Sequence, residues 1–316
     1  MRSKQAWRYG GLILGLGIGL LSGCGDGNAD AFLWGRSPAY TPDGARLLYA
    51  QNLSTPSDQV FNTVSTLDAG VIWRIDADGT DPVKITPDNQ GPDFFPKVSP
   101  DGTRIAYATG QGGQFDVWVM NIDGTARRQL TFDQAVDTTP AWSPDGRRIV
   151  FVSDRTGNND IWSVSADGSG LQQLTSFPSD EGTPSYSPDG SRIALASNQD
   201  RSNFDIWTMD ADGGNLTQLT RKVDADGNIS DGAPAWSPDG QTIAFERWDG
   251  NWDIYRIAVD GTGLQRLTDA AEHDGDPTFS PDGTTIAFTS ARSGWWQVWL
   301  MAANGGNERQ LTGVDR

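Results

Sequence analysis

The apolar positions of this chain come in short runs of strand length. Segments such as Arg148-Ile149-Val150-Phe151-Val152, Arg192-Ile193-Ala194-Leu195-Ala196 and Thr285-Ile286-Ala287-Phe288-Thr289 are rich in β-branched and aromatic residues, which suit a pleated, half-buried surface. Each run follows a Ser/Thr-Pro-Asp-Gly tetrad, and the tetrad prolines are Pro42, Pro100, Pro144, Pro188, Pro238 and Pro281. Proline presets φ at the second turn position, aspartate tolerates the third, and glycine accepts a positive φ. Each tetrad therefore predicts a tight hairpin between two strands.

The pattern continues in register. After a polar loop comes a second aromatic strand: Ile72-Trp73, Val117-Trp118, Ile161-Trp162, Ile206-Trp207, Ile254-Tyr255 and Val298-Trp299. A second glycine turn follows, from Asp78-Gly79 to Asn304-Gly305, and each unit closes on a pair running from Ile85-Thr86 to Leu311-Thr312. The unit is thus four strands, and the six turn prolines are separated by 58, 44, 44, 50 and 43 residues. A single twisted sheet of four strands cannot bury both faces, so such units stack radially and cover one another. The spacing fits the blades of a propeller, whereas a parallel β-helix has shorter rungs without paired hairpin turns.

The sequence therefore predicts an all-β fold, a six-bladed β-propeller with four antiparallel strands per blade. It occupies residues 37–312, with blades at about 37–86, 95–131, 139–175, 183–220, 233–268 and 276–312.

Residues 1–23 read differently. Arg2, Lys4 and Arg8 precede an apolar run from Leu12 to Leu21, and Leu21-Ser22-Gly23-Cys24 follows. This is the pattern of an export signal, too short to span a bilayer. The tetrad resembles a bacterial lipobox, which implies lipid on Cys24 as the first mature residue, with 24–36 as a tether. Cys24 is the sole cysteine, so no disulfide forms within the chain. Gly25 follows it, rather than the aspartate associated with inner-membrane retention, which implies the periplasmic face of the outer membrane where two membranes exist.

Charge narrows the partners. The chain has 24 basic and 41 acidic residues for a net charge of −17. Loss of the three leader bases takes the mature chain to −20. Such a surface repels phosphate backbones and anionic lipid, which excludes nucleic acid and leaves membrane contact to the lipid on Cys24.

The succession Pro140-Ala141-Trp142-Ser143-Pro144-Asp145-Gly146, then Ile-Ala-Phe, Asp-Ile-Trp, Asp-Gly and Leu-Thr resembles the WD-repeat-like propeller units of the TolB family. The likeness covers about residues 37–312 and does not extend to the α/β domain that TolB proteins carry ahead of their propeller. It implies a non-catalytic, envelope-located propeller whose central mouth holds a protein partner, an envelope protein or a basic peptide segment.

Three residues before the proline that opens each first strand stand Asp93, Asp137, Glu181, Asp231 and Asp274, with Gly35 in the first unit. Five acids at one channel mouth would focus negative potential on a cation or a basic segment. The bland alternative is that each carboxylate bonds backbone N–H groups and fixes the passage between blades. Trp248 and Trp295 have no counterpart in other units, and are read either as an exposed aromatic patch or as loop packing. No cofactor motif is present. Calcium is the one ion with a candidate loop, Asp224, Asp226 and Asn228, although the same Asp-Ala-Asp-Gly text serves as a plain turn at 76–79 and 210–213. His273 is the only histidine and no Gly-x-Ser-x-Gly elbow occurs, so hydrolysis is left with a carboxylate-only or calcium-dependent glycan chemistry at the acidic mouth as the runner-up.

Overall fold

The computed structural model describes residues 37–51, 70–87, 91–200, 203–221 and 229–313. The leader, Cys24, the tether and the loop bearing Asp224, Asp226 and Asn228 lie outside them. The described residues form 24 strands in six four-stranded sheets, each sheet made of four consecutive strands. Every pairing is antiparallel; in the third blade Asp137–Trp142, Arg148–Ser153, Asp160–Ser165 and Gln172–Gln173 succeed one another. This is the expected six-bladed propeller, with blades at 39–84, 93–129, 137–173, 181–218, 230–266 and 274–310.

The core lies between blades. Val117, Val119 and Leu130 of the second blade interdigitate with Ile149, Phe151 and Val164 of the third, and equivalent clusters fill the other junctions. The ring is closed by the same device: Leu47, Tyr49 and Ile75 of the first blade pack on Ala287, Val298 and Leu300 of the sixth. Tyr40 Oη meets Thr285 Oγ1 at 3.1 Å, and Arg309 donates to the Ala77 carbonyl at 2.9 Å.

Two motif residues acquire a physical reason. The outermost strands are two residues long, so the start of each third strand has a backbone N–H without a ladder partner. The threonine of the closing Leu/Ile-Thr pair accepts it, as in Ile161 N–H to Thr175 Oγ1 at 2.8 Å and Val117 N–H to Thr131 Oγ1 at 3.0 Å. In the turns, aspartate Oδ1 accepts both the preceding Ser or Thr hydroxyl and a backbone N–H two residues on, as at Asp145 (2.6 and 3.0 Å).

Candidate functional site

The five acids read from the sequence are all buried at the start of their inner strands, and this corrects the expected open ring of carboxylates. Asp93 receives two bonds from Arg127, at 3.2 and 3.0 Å, and Asp137 two from Arg155, at 3.0 and 2.9 Å. Asp231 is clamped by Arg247 at 2.6 Å twice, and Asp274 by Arg292 at 2.6 Å. Glu181 takes hydroxyls instead, from Ser179 at 2.6 Å and Ser197 at 2.9 Å. Burial pushes Asp93, Asp137, Glu181 and Asp274 upward, opposed first by the hydroxyls of Thr109, Ser153, Ser179 and Ser290 and, in the three aspartates, by the arginines. Each arginine clamps an acid of its own blade, so the pair ties the inner strand to a later part of the same blade, and the guanidiniums that neutralise four of the acids were not legible as their partners in the sequence.

The exposed carboxylates are elsewhere. Strands one and three of a blade run parallel, so both of its glycine turns emerge on one face, opposite the starts of the inner strands. On that face Asp43, Asp101, Asp145, Asp189, Asp239 and Asp282 of the tetrads form an exposed six-fold ring. The Ser or Thr hydroxyl and then the backbone N–H hold all six below the usual carboxylate range, Asp101 and Asp189 at about 2. All six are ionised at neutral pH. Asp123, Asp167 and Asp260, in the outer turns of the same face, are lowered by the same cause.

This ring surrounds a channel. A cavity of about 360 Å³ is lined by the six tetrad prolines, by Tyr40, Trp142, Tyr186, Trp236 and Phe279, and deeper by Phe95, Thr139, Thr183, Lys97 and Asp276. The prolines also lock the ring: a Cβ on Gly44 would stand 3.6 Å from Pro281 Cδ, and one on Gly102 3.7 Å from Pro42 Cδ. Trp142 and Trp236 reach back one blade, donating to the Lys97 and Ser185 carbonyls at 3.0 and 3.1 Å.

Lys97 and Asp276 are the charged groups on the wall. Burial lowers Lys97 against the pull of Asp276; burial raises Asp276, with Lys97 opposing. Behind Asp276, Glu246 accepts its backbone N–H at 3.1 Å and is pushed up to about 8 by burial and then by the Asp276 charge.

One feature of this wall escaped the sequence reading. Ser37, Phe95, Thr139, Thr183, Ala233 and Asp276 all have φ between 32° and 53°, although each precedes a proline, a setting that favours extended backbone. Five of the six inner strands are described far enough to show the register shift of a bulge at this point, and the bulge turns these side chains into the channel. The X-Pro pairs themselves were the only available signal.

The aromatic candidates separate. Trp248 is half-buried between Trp252, with ring centroids 5.8 Å apart, and His273, at 5.7 Å. The Trp252 N–H points to His273 Nδ1 at 3.4 Å, and burial holds this histidine below its ordinary value, opposed by Asp274 and Glu272. Trp295 is 47% exposed in a different loop. Among the described residues no three of His, Cys, Asp or Glu are grouped to hold a metal.

The model of the TolB beta propeller domain family matches residues 37–227 and 221–316. The chain belongs to that family. A stretch of 39 residues is 51% identical to the Tol-Pal system protein TolB of Anaeromyxobacter dehalogenans strain 2CP-C, covering 12% of this chain and 9% of that protein. Among solved structures, TolB from Acinetobacter baumannii superposes with a TM-score of 0.67 at 21% identity, over 83% of this chain and 62% of that one. Putative TolB from Agrobacterium tumefaciens gives 0.63 at 27% identity, over 73% and 84%. An oligogalacturonate lyase in complex with manganese shares the fold, with a TM-score of 0.59 at 14% identity, over 88% and 76%. The structural neighbours of this chain thus include both TolB proteins and an enzyme, and the chain spans under two thirds of the length of the A. baumannii protein.

Proposed function

We propose that this chain is a non-catalytic, protein-binding propeller of the cell envelope, anchored through lipid on Cys24, and that it engages its partner with the tetrad-turn face and the channel opening there. The observation that supports this reading is the coincidence of six ionised turn carboxylates with a mouth of prolines and aromatic rings. An apolar, proline-rigid rim offers desolvated contact area, and the carboxylates steer and orient a basic segment toward it. Asp93, Asp137, Glu181, Asp231 and Asp274 are buried within their blades and held by arginines and hydroxyls, which withdraws them from a carboxylate-based hydrolysis at the mouth.

The test is affinity capture by the lipidated protein from detergent-solubilised envelopes, beside a variant with Asp43, Asp101, Asp145, Asp189, Asp239 and Asp282 changed to Asn. Asparagine keeps the Oδ1 acceptor of each turn, so the blades stay folded. Salt-sensitive capture by the parent and its loss in the variant support the reading; equal capture by both, or none by either, overturns it.

A further inference from the structure

The six units permit each junction to be compared with its siblings, and one of them lacks a cation. Where the second, third, fifth and sixth blades begin, the buried acid meets Arg127, Arg155, Arg247 or Arg292. Each guanidinium also lies over the aromatic ring of its own second strand: Tyr107 at 5.3 Å, Phe151 at 5.6 Å, Phe245 at 5.3 Å and Phe288 at 5.5 Å. In the fourth blade the matching ring is Leu195, paired with Trp207 as Phe151 is with Trp162. The loop position of Arg155 and Arg292, two residues past the strand-end serine, is Gln199. Seat and occupant have disappeared together.

What remains is a pair of buried acids. Glu181 is fully buried and its Oε2 has no hydrogen-bond partner. Asp160, from the third blade, is 1% exposed and interacts with it. Neither makes an ion pair among the described residues. Around them stand four hydroxyls and one amide: Ser179 and Ser197 donate to Glu181, Thr156 and Thr175 to Asp160 at 2.5 and 3.3 Å, and Gln173 Nε2 to Asp160 at 3.1 Å. Two buried carboxyls within hydrogen-bonding reach of each other and without a counter-charge disfavour being ionised together, and burial pushes Glu181 up to about 7.

We infer that the junction of the third and fourth blades is a calcium site, in which Asp160, Glu181 and the flanking hydroxyls hold a hard cation in place of the guanidinium of the other junctions. Two carboxylates flanked by hydroxyl oxygens and the side-chain amide of Gln173 suit calcium, which tolerates irregular geometry and mixed carboxylate, hydroxyl and carbonyl ligands. The ion is structural: it fastens two blades, and its loss loosens the ring there first.

The experiment uses the full chain, freed of metal with a chelator and then given calcium chloride, with magnesium chloride as control, reading calcium stoichiometry by equilibrium dialysis and the thermal midpoint. Three variants accompany it. Glu181→Gln removes the charge and keeps the hydroxyl bonds. Gln199→Arg supplies the missing guanidinium. Asp224→Asn with Asp226→Asn silences the separate acidic loop. The parent and the loop variant bind one calcium at this site and gain at least ~3 °C at saturation. Glu181→Gln and Gln199→Arg bind one ion fewer, and the midpoint of Gln199→Arg without calcium rises toward that of the loaded parent. The inference is overturned if the parent binds no calcium, if Glu181→Gln or Gln199→Arg binds as much as the parent, or if the acidic-loop variant alone loses it.

Discussion

Arg247 closes on Asp231 through Nε and Nη2, both at 2.6 Å, with the two side chains 1% and 0% exposed. Removing the guanidinium alone leaves a carboxylate in the interior without compensation. Arg247→Met is expected to lower unfolding free energy by ~3–5 kcal/mol, and Arg247→Met with Asp231→Leu to recover most of it. Urea titration of the three proteins reads the difference; a double variant as weak as the single one would refute the fastener role.

Glu246 gives the channel wall a pH signature. Its folded value is about 8, against 4.5 for the free side chain, so between those limits the folded protein holds a proton that the unfolded chain has released. This stabilisation is complete below about pH 4.5 and is lost as pH rises through about 8, with a slope of at most ~1.4 kcal/mol per pH unit. Glu246→Gln, whose amide oxygen still accepts the Asp276 N–H, should flatten the dependence. Denaturation midpoints measured from pH 5 to 9 decide it, and parallel curves would show that Glu246 does not carry the effect.

Two tryptophans should respond in opposite ways. Trp142 is 7% exposed, donates to Lys97 O and lies under the Arg104 guanidinium at 4.8 Å. Trp142→Ala is expected to cost ~3–5 kcal/mol. Trp295→Ala, at an exposed position, should change stability by under ~0.5 kcal/mol. Differential scanning calorimetry distinguishes them.

Gly213 and Gly250 separate packing from backbone freedom. Both have positive φ, 95° and 104°, but a Cβ on Gly213 would sit 2.4 Å from the Leu174 carbonyl oxygen of the neighbouring blade, while one on Gly250 meets nothing within 4 Å. Gly250→Ala should cost about 1 kcal/mol, and Gly213→Ala clearly more, because backbone must shift between blades. Equal costs in chemical denaturation would mean that the turn does not bear on its neighbour.

The repeat made most of the architecture readable. Hairpin tetrads, alternating apolar positions and closing Leu-Thr pairs are local signals, and six in-frame copies leave one way to bury their faces. The site was less readable. Asp93 and its equivalents stand out in the sequence as a periodic set, but whether they face a mouth or fix the passage between blades stays open there, because nothing local announces that Arg127, 34 residues away, or Arg247, 16 away, would fold onto them. The tetrad aspartates were read only as turn formers, and their second property, a ring of ionised groups around a mouth, exists only once six turns face the same way.

The sequence by itself determined that this chain folds as six four-stranded blades, because turn chemistry and strand periodicity act over a few residues and need no distant partner. Tertiary structure alone decided which acids are buried and which face solvent, how Ser37, Phe95, Thr139, Thr183, Ala233 and Asp276 turn into the channel, and where a junction is left without its arginine. These properties depend on desolvation and on charges brought together from different blades, and both arise only when the ring closes.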